Sequence, residues 1–111
     1  LITGRQLEHW HTGAMTRRSA VLDALEPAAV ATLAPAELAC LGLAPGAALS
    51  IETRRGRITL AARADPLMPA GMVFVPFCYV EAAANLLTNP ALDPYGKIPE
   101  FKYAACRLAP A

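Results

Sequence analysis

The sequence has little excess charge of either sign. Its 10 Lys and Arg residues face 9 Asp and Glu residues, and charged residues make up only 17% of the 111 residues. A protein that binds nucleic acid or an acidic membrane through bulk charge needs a large basic excess. The composition therefore favours neither nucleic acid nor a membrane surface as a partner.

A long apolar run and paired cysteines are also missing. No stretch of about 18 consecutive apolar residues occurs, so we expect no membrane span. Cys40, Cys78 and Cys106 form no C-x-x-C pair, which argues against a zinc knuckle or a disulfide framework. We expect reduced thiols and a cytoplasmic protein. The chain begins with Leu1, so we expect a fragment of a longer protein, and a periplasmic location of that protein stays open.

Apolar residues are abundant, at 55% of the chain, and they can supply the core of one domain spanning residues 1–111. Strands are predicted at Leu1–His11, Ala31–Leu33, Ala48–Arg54, Ile58–Ala64, Met72–Phe77 and Phe101–Leu108. Helices are predicted at Ala20–Leu25, Pro35–Leu41 and Val80–Leu87, and a long loop at Asn89–Pro99. Short strands with two or three small helices between them predict a mainly β, closed or nearly closed barrel.

The stretch LEHWHTGAMTRRS, from Leu7 to Ser19, holds both histidines and the only tryptophan. On a strand, His9 and His11 would share one face and could bind a Zn or Cu ion, but the spacing supplies no third ligand. Hydrogen bonding is the more ordinary role of two such imidazoles, since each offers one donor and one acceptor. We therefore assign no metal ligand.

Catalysis and nucleic-acid binding find little support in the residues. Without a G-x-S-x-G motif or a local Cys/His signature, we assign no catalytic residue. Arg54, Arg55 and Arg57 surround the predicted hairpin turn and could enter a nucleic-acid groove, although such a tip is usually a solvated turn.

Phosphate binding fits the opening segment better. The turn Thr12-Gly13 offers backbone donors to an anion. Hydroxyl groups and positive charge are supplied nearby by Thr12, Thr16, Ser19, Arg5, Arg17 and Arg18. The residues by themselves indicate a site for a large polar ligand.

Three separated segments carry a family resemblance. They are TGRQLEHWHTGAMTRRS, LAPAELACLGLAPGAALSIETRRGRITLAARA, and GMVFVPFCYVEAAANLLTNPALDPYGKIPEFKYAACRL. In this order they resemble the C-terminal domain of molybdopterin-dinucleotide oxidoreductases of the dimethyl sulfoxide reductase superfamily. The first segment resembles formate dehydrogenases and nitrate reductases alike. The last, with AANLLTNPALDP and KIPEFKYAACR, is most similar to formate dehydrogenase α subunits.

This resemblance implies a double-psi β-barrel that closes over a bis-molybdopterin guanine dinucleotide cofactor carrying Mo or W. By position, it implies cofactor contacts from Thr3, Gly4, Arg5, Gln6, His9, His11, Thr12, Asn85 and Lys102. It also implies a place near the substrate channel for Phe77. Relatives often carry His where this chain has Cys78, which leaves that position without the relatives' imidazole.

The resemblance extends to activity and partners. In the family, the metal ligand and a 4Fe-4S cluster lie on other domains, so we expect this segment to clamp the cofactor and to be inactive alone. The implied reaction is oxidation of formate to CO2, with two electrons passed to the metal. The implied partners are other domains of the same catalytic subunit and electron-transfer subunits. The alternatives are a nitrate reductase domain, a stand-alone molybdopterin-binding subunit of the formylmethanofuran dehydrogenase type, and a nucleic-acid-binding β-barrel.

Overall fold

The computed structural model describes residues 1–111 as a six-stranded mixed sheet with short helices. The strands are β1 (Ile2–Gly4), β2 (Val30–Leu33), β3 (Ala48–Glu52), β4 (Arg57–Ala64), β5 (Val73–Pro76) and β6 (Arg107–Pro110). The α-helices are α1 (Ala20–Leu25) and α2 (Pro35–Cys40), and 3₁₀ turns lie at Thr16–Arg18, Val80–Ala82 and Ala84–Leu86.

The strand order is β1-β5-β2-β4-β3-β6. β1 is parallel to β5, and β2 is parallel to β4. The remaining pairs are antiparallel, including the predicted β3–β4 hairpin, in which Glu52 lies opposite Arg57. Because β1 and β5 run in the same direction, the segments that follow their carboxyl ends leave the sheet at the same edge.

The two outer ends of the sheet approach each other. The backbone nitrogen of Leu1 donates to the Ala104 carbonyl at 2.8 Å, and the Ala104 nitrogen donates to the Leu1 carbonyl at 3.1 Å. The Thr3 hydroxyl donates to the Phe101 carbonyl. The segment that precedes β6 therefore runs beside β1 and brings the sheet close to a closed barrel.

The core is built from alternate residues of paired strands. Leu49 and Ile51 of β3 are fully buried, and Ile58, Leu60 and Ala62 of β4 are buried opposite them. Their chain neighbours are exposed or half-buried, as expected where side chains alternate between two faces. Each buried Leu or Ile contributes about 1.5–3 kcal/mol by leaving water.

Both α-helices begin and end where the sequence predicts, to within a residue. Pro35 opens α2, where its missing N–H costs nothing, and Gly42 follows the helix with φ of 66°. Ser19 precedes α1, but its side chain makes no capping hydrogen bond. Neither helix has the length and apolar character that a membrane span would need.

The predicted strand Leu1–His11 is wrong in extent, because β1 ends at Gly4. Gly4 is paired with Pro76, which has no N–H to continue the ladder. Beyond it the chain turns, and the His9 nitrogen donates to the Gln6 carbonyl at 3.2 Å.

The predicted helix Val80–Leu87 is wrong in type. Two separate 3₁₀ turns replace it, because Ala83 between them is extended, with φ of −62° and ψ of 104°. This break lets Ala82, Ala84 and Leu87 all enter the core, which one helical face would not allow.

The predicted closing strand Phe101–Leu108 is displaced toward the C-terminus, since β6 covers Arg107–Pro110. Its first part bonds to Leu1 and Thr3 instead of continuing the β3 ladder.

Candidate functional site

A cavity of about 420 Å³ opens at the edge of the sheet where β1 and β5 end. Four of the predicted site residues, His11, Thr12, Phe77 and Asn85, line it together. The remaining lining residues are Thr88, Asn89, Pro90, Leu92, Pro99 and Phe101. The structure therefore gathers residues from three distant segments of the chain around one space.

The parallel β1–β5 pair brings these segments together. His11 and Thr12 lie in the loop that follows β1, and Phe77 follows β5 directly. The Phe77 nitrogen donates to the Gly4 carbonyl at 3.1 Å, which fixes the start of one wall relative to the other. Asn85 is supplied by the second 3₁₀ turn after β5.

Thr3 and Gly4 lie in β1 beneath the cavity and do not line it. Thr3 is buried, and its hydroxyl holds the Phe101 carbonyl. A Cβ on Gly4 would lie 2.6 Å from the Phe74 ring, so a larger residue would displace that ring. Thr3 and Gly4 therefore support the cavity through their hydrogen bonds to Phe101 and Phe77, which line it.

His9 and His11 do not share a face, contrary to the strand interpretation. The His9 side chain is buried, with Nε2 2.8 Å from the Glu26 carbonyl oxygen and Nδ1 3.3 Å from the Thr16 hydroxyl. Its ring meets the Tyr79 ring edge-on, at 5.5 Å between centroids. Both ring nitrogens of His9 therefore already have partners within the protein.

These contacts determine which ring nitrogen of His9 carries a proton. A carbonyl oxygen only accepts, so Nε2 of His9 donates to Glu26, and the Tyr79 hydroxyl donates to the same oxygen at 2.8 Å. The Thr16 hydroxyl also accepts from the Trp10 nitrogen at 3.0 Å. His9 thus ties the loop after β1 to the end of α1.

His11 lies at the surface in a left-handed backbone conformation, with φ of 50°. Its Nε2 is 3.4 Å from Nη2 of Arg5, and because a guanidinium only donates, Nε2 accepts. The Arg5 guanidinium stacks over the Trp10 ring at 4.9 Å, and Trp10 meets His11 edge-on at 4.5 Å. Arg5 thereby orients the imidazole that borders the cavity.

Gln6 borders a second cavity, of about 580 Å³, together with Arg5 and His9. Trp10 and Glu8 also line it, and one carboxylate oxygen of Glu8 is buried there without a hydrogen-bond partner. The predicted contacts from the first segment are therefore divided between two cavities.

Lys102 lies at the rim of the 420 Å³ cavity. Its Nζ is 5.1 Å from the Phe101 ring centroid and 5.7 Å from that of Phe77, and both rings line the cavity. The ion pairs of the structure involve Arg17, Arg57 and Arg63. Neither Lys102 nor Arg5 has a carboxylate partner, so both cations are free to meet an anion.

Arg17 is not free in this way. It contacts the carboxylates of Asp23 at 3.3 Å and Glu81 at 2.7 Å, and it stacks on the Tyr79 ring at 4.9 Å. The hydrogen bond to Glu81 raises the pKa of Arg17 and lowers that of Glu81. Two acids already compensate the charge of Arg17, so the geometry gives no support to the phosphate-binding role considered for this residue.

Cys78 and Tyr79 belong to the core, not to a reactive site. Burial raises the pKa of the Cys78 thiol and raises that of the Tyr79 hydroxyl well above its usual range. A thiol that stays protonated is a poor nucleophile. No group of three His, Cys, Asp or Glu side chains is close enough together to hold a metal ion.

Sequence reasoning missed six of the residues that line the 420 Å³ cavity, which we call the main cavity. Thr88 and Asn89 belong to AANLLTNP, one of the stretches that carry the family resemblance, while Leu92 and Pro99 belong to the long loop predicted to be functional. The bridge between Leu92 and Pro99 folds this loop against the cavity. No sequence pattern indicates that Leu92 and Pro99 pair across this loop.

The donors and acceptors at the cavity fit a polar heterocycle with phosphate groups. Amides come from Asn85 and Asn89, and hydroxyl groups from Thr12 and Thr88. Amide and hydroxyl groups both donate and accept, so they match the edges of such a ring system.

The family match shows that this chain is a cofactor-binding domain. The family described as "Molydopterin dinucleotide binding domain" matches residues 1–105, and the chain belongs to this family. The resemblance stated from the three sequence segments is therefore confirmed.

Two similar relatives are alpha subunits of F420-dependent formate dehydrogenases. The subunit from Methanococcus maripaludis is 41% identical over 109 residues, and that from Methanocaldococcus jannaschii is 42% identical over 110 residues. Each alignment covers 97% of this chain, but the chain spans only 16% of each relative's length.

A solved structure supports the fold. Acetylene hydratase from Pelobacter acetylenicus superposes with a TM-score of 0.84 over 100% of this chain and 18% of its own, at 20% sequence identity. The predicted fold class, a mainly β double-psi barrel with two or three short helices, is confirmed.

Proposed function

We propose that this chain clamps a bis-molybdopterin guanine dinucleotide cofactor within a catalytic chain of the formate dehydrogenase type. The observation that carries the proposal is the cavity where His11, Thr12, Phe77 and Asn85 meet, with the unpaired Lys102 at its rim. The identity of 41% and 42% to formate dehydrogenase alpha subunits favours formate as the substrate.

The cavity residues have separate tasks in this proposal. Asn85, Thr12 and His11 bind the polar edges of the cofactor, and Lys102 compensates its negative charge. Phe77 forms an apolar wall that limits water at the substrate side. The remaining residues of the first segment act through position: Thr3, Gly4 and His9 hold the walls, and Arg5 and Gln6 border the second cavity.

When bound, the Mo or W of the cofactor supplies the two-electron chemistry that converts formate to CO2. The residues of this chain bind and orient that group and are not catalytic themselves. In our proposal a 4Fe-4S cluster and the metal ligand lie outside residues 1–111.

We propose that residues 1–111 form a single domain of a larger, cytoplasmic catalytic subunit. The alignment with a small part of longer relatives supports this, and so do three cysteines that form no disulfide. The partners are then the other domains of that subunit and its electron-transfer subunits.

The test uses the full-length catalytic chain that contains these residues, purified without oxygen. We would measure Mo and W, the guanine nucleotide released by acid, and formate-dependent dye reduction. Asn85→Ala and Lys102→Ala should lower the nucleotide content, whereas Lys97→Ala should leave it unchanged. Lys97 is a matched control because its ammonium donates to the Pro94 carbonyl and does not line the cavity.

The outcomes separate the alternatives. Metal and nucleotide with formate activity support the whole proposal. Metal and nucleotide with nitrate reduction instead would retain the clamp and replace the substrate. A full-length chain without nucleotide would overturn the proposal.

A further inference from the structure

The tip of the β3–β4 hairpin carries two arginines whose charge nothing in the structure compensates. Arg57, at the start of β4, contacts Glu52 at 3.0 Å across the hairpin. Arg54 and Arg55 have no carboxylate within 4.0 Å. Two guanidinium groups therefore remain available side by side.

The hairpin tip is held in place. The Thr53 nitrogen donates to the Gly56 carbonyl at 2.9 Å, and the Arg55 nitrogen donates to the Thr53 hydroxyl at 3.1 Å. A Cβ on Gly56 would lie 2.8 Å from the Leu86 carbonyl oxygen, so the tip packs directly on the turn that carries Asn85. A fixed backbone reduces the entropy lost when a ligand binds.

Arg54 and Arg55 line a cavity of about 300 Å³ beside the main one. Asn89 lines both cavities and is their common wall. Tyr103, which follows the rim residue Lys102, also borders the smaller cavity. A ligand that fills the main cavity can therefore continue toward the two arginines.

The local charge favours an anion. Glu100 is the one acid in the smaller cavity, and its carboxylate already accepts a hydrogen bond from the Asn89 amide. Arg54 also borders a further cavity, of about 320 Å³, together with Arg107. Glu52 is the one acid there, and it is paired with Arg57. In these two cavities together, the guanidinium groups of Arg54, Arg55 and Arg107 outnumber the carboxylates of Glu100 and Glu52.

The geometry points to a second subsite: Arg54 and Arg55 bind the phosphate groups of a nucleotide whose rings lie in the main cavity. Guanidinium groups match phosphate oxygens because each can donate two parallel hydrogen bonds. This inference rests on the proposed function, which supplies a dinucleotide. The bound phosphate can belong to that cofactor or to another nucleotide, and the experiment distinguishes the two.

The experiment uses the full-length catalytic chain with Arg54→Ala and Arg55→Ala, singly and together. Arg57→Ala removes the same charge from the same hairpin and is the matched control. Thermal unfolding checks that each variant folds. Because Arg54 and Arg55 are exposed and unpaired, their substitution by alanine should leave the melting temperature unchanged. The readouts are the guanine nucleotide retained per chain, and titration of the cofactor-free chain with inorganic pyrophosphate and with GDP.

We expect each alanine at Arg54 or Arg55 to weaken pyrophosphate binding about tenfold, as the loss of a charge-assisted hydrogen bond does. Arg57→Ala should bind like the wild type. Retained cofactor that falls in parallel identifies the cofactor's own phosphates as the ligand. A loss confined to pyrophosphate and GDP identifies a free nucleotide that occupies the main cavity only when the cofactor is absent.

Several results would overturn the inference without touching the proposed function. One is full pyrophosphate affinity in the double variant while Asn85→Ala still loses the cofactor. Another is an equal loss in Arg57→Ala, which would reflect general charge. Tighter, Arg54-dependent binding of duplex DNA than of GDP would make the hairpin a nucleic-acid contact instead. A wild-type chain without cofactor contradicts the proposed function, and its pyrophosphate titration still decides the subsite.

Discussion

His9 and His11 are separated by one residue, yet their side chains have opposite surroundings. The His9 ring is 2% exposed and bonds to Glu26 and Thr16, whereas the His11 ring lies at the surface beside Arg5. One imidazole therefore stabilises the loop, and the other is available to a ligand.

Substitution should separate these two roles. We expect His9→Ala to lower the free energy of unfolding by about 1–3 kcal/mol, because buried polar groups lose their partner. His11→Ala should leave stability nearly unchanged and reduce cofactor content. Urea unfolding and nucleotide release measure the two effects, and equal destabilisation of both variants would contradict this assignment.

Gly13 lies in the loop that follows β1, which we call the site loop, and it shows how closely this loop approaches Cys78. Its φ is 76°, and a Cβ there would lie 2.7 Å from the Cys78 carbonyl oxygen. Gly46 has a similar φ of 88° but open space around it.

Alanine substitutions at Gly13 and Gly46 separate the cost of the backbone conformation from the cost of the close contact. Gly46→Ala should cost about 1–2 kcal/mol from the left-handed backbone alone. Gly13→Ala should cost about 1–3 kcal/mol more, because its methyl overlaps a backbone atom that cannot move away easily. Denaturant unfolding measures both, and equal losses would mean that the loop shifts freely.

The loop between Leu92 and Pro99 is organised by one carboxylate. Asp93 accepts from the backbone nitrogens of Tyr95 at 3.0 Å, Gly96 at 3.1 Å and Ile98 at 2.9 Å. These three hydrogen bonds lower the pKa of Asp93. The loop keeps its shape without a helix or strand, and its two ends border the cavity.

Asp93→Ala should loosen this element without unfolding the protein. We expect faster amide exchange and easier proteolysis over residues 93–98, with weaker retention of the cofactor and little change in melting temperature. Asp93→Asn keeps one acceptor oxygen, so its amide exchange should be intermediate between those of the wild type and Asp93→Ala. Unchanged amide exchange in the alanine variant would show that the backbone holds the loop unaided.

Arg17 links the 3₁₀ turn after the site loop to Glu81 in the segment after β5. Glu81 has a pKa below its ordinary value of 4.5, so the pair stabilises the fold above that pH. The stabilisation is lost as the pH falls through the lowered pKa of folded Glu81.

Acid should therefore affect the wild type more than Glu81→Gln. Between about pH 5 and pH 3, we expect the wild type to lose about 0.5 kcal/mol more, a small value because the pair is partly exposed. Denaturant unfolding at several pH values checks this. Parallel pH profiles would show that the ion pair contributes nothing measurable.

At the scale of the whole molecule, the paired strands form one sheet, and the main cavity lies at an edge of this sheet among loops and turns. Paired strands such as β3 and β4 supply many of the core residues, whereas every residue that lines the main cavity lies outside the strands. A ligand that binds only the folded chain stabilises the whole fold by mass action, and it also suppresses local opening of the segments that it touches.

Removal of the cofactor from the full-length chain should increase amide exchange in the cavity segments, residues 11–12, 85–92 and 99–102. Amides of the β3–β4 strands should change less, because they gain only the global stabilisation by the ligand. Hydrogen exchange with mass spectrometry measures this difference. An increase in the strands as large as that in the cavity segments would contradict a site confined to one edge.

The sequence predicts regular elements well where the pattern is local. Most strands and both α-helices agree with the structure to within about two residues, because alternation, proline and glycine act over short distances. The segment Val80–Leu87 fails because its alanines enter the core from two turns, which composition cannot indicate.

The sequence by itself determined the family, the mainly β class and the residue types that the site uses, since three segments carry them in order. Only the tertiary structure decided which of those residues meet. The parallel pairing of β1 with β5 brings His11 to Phe77, and Lys102 comes to the same cavity rim. An irregular loop has no period that fixes the direction of a side chain, so the burial of His9 and the exposure of His11 depend on contacts with distant residues.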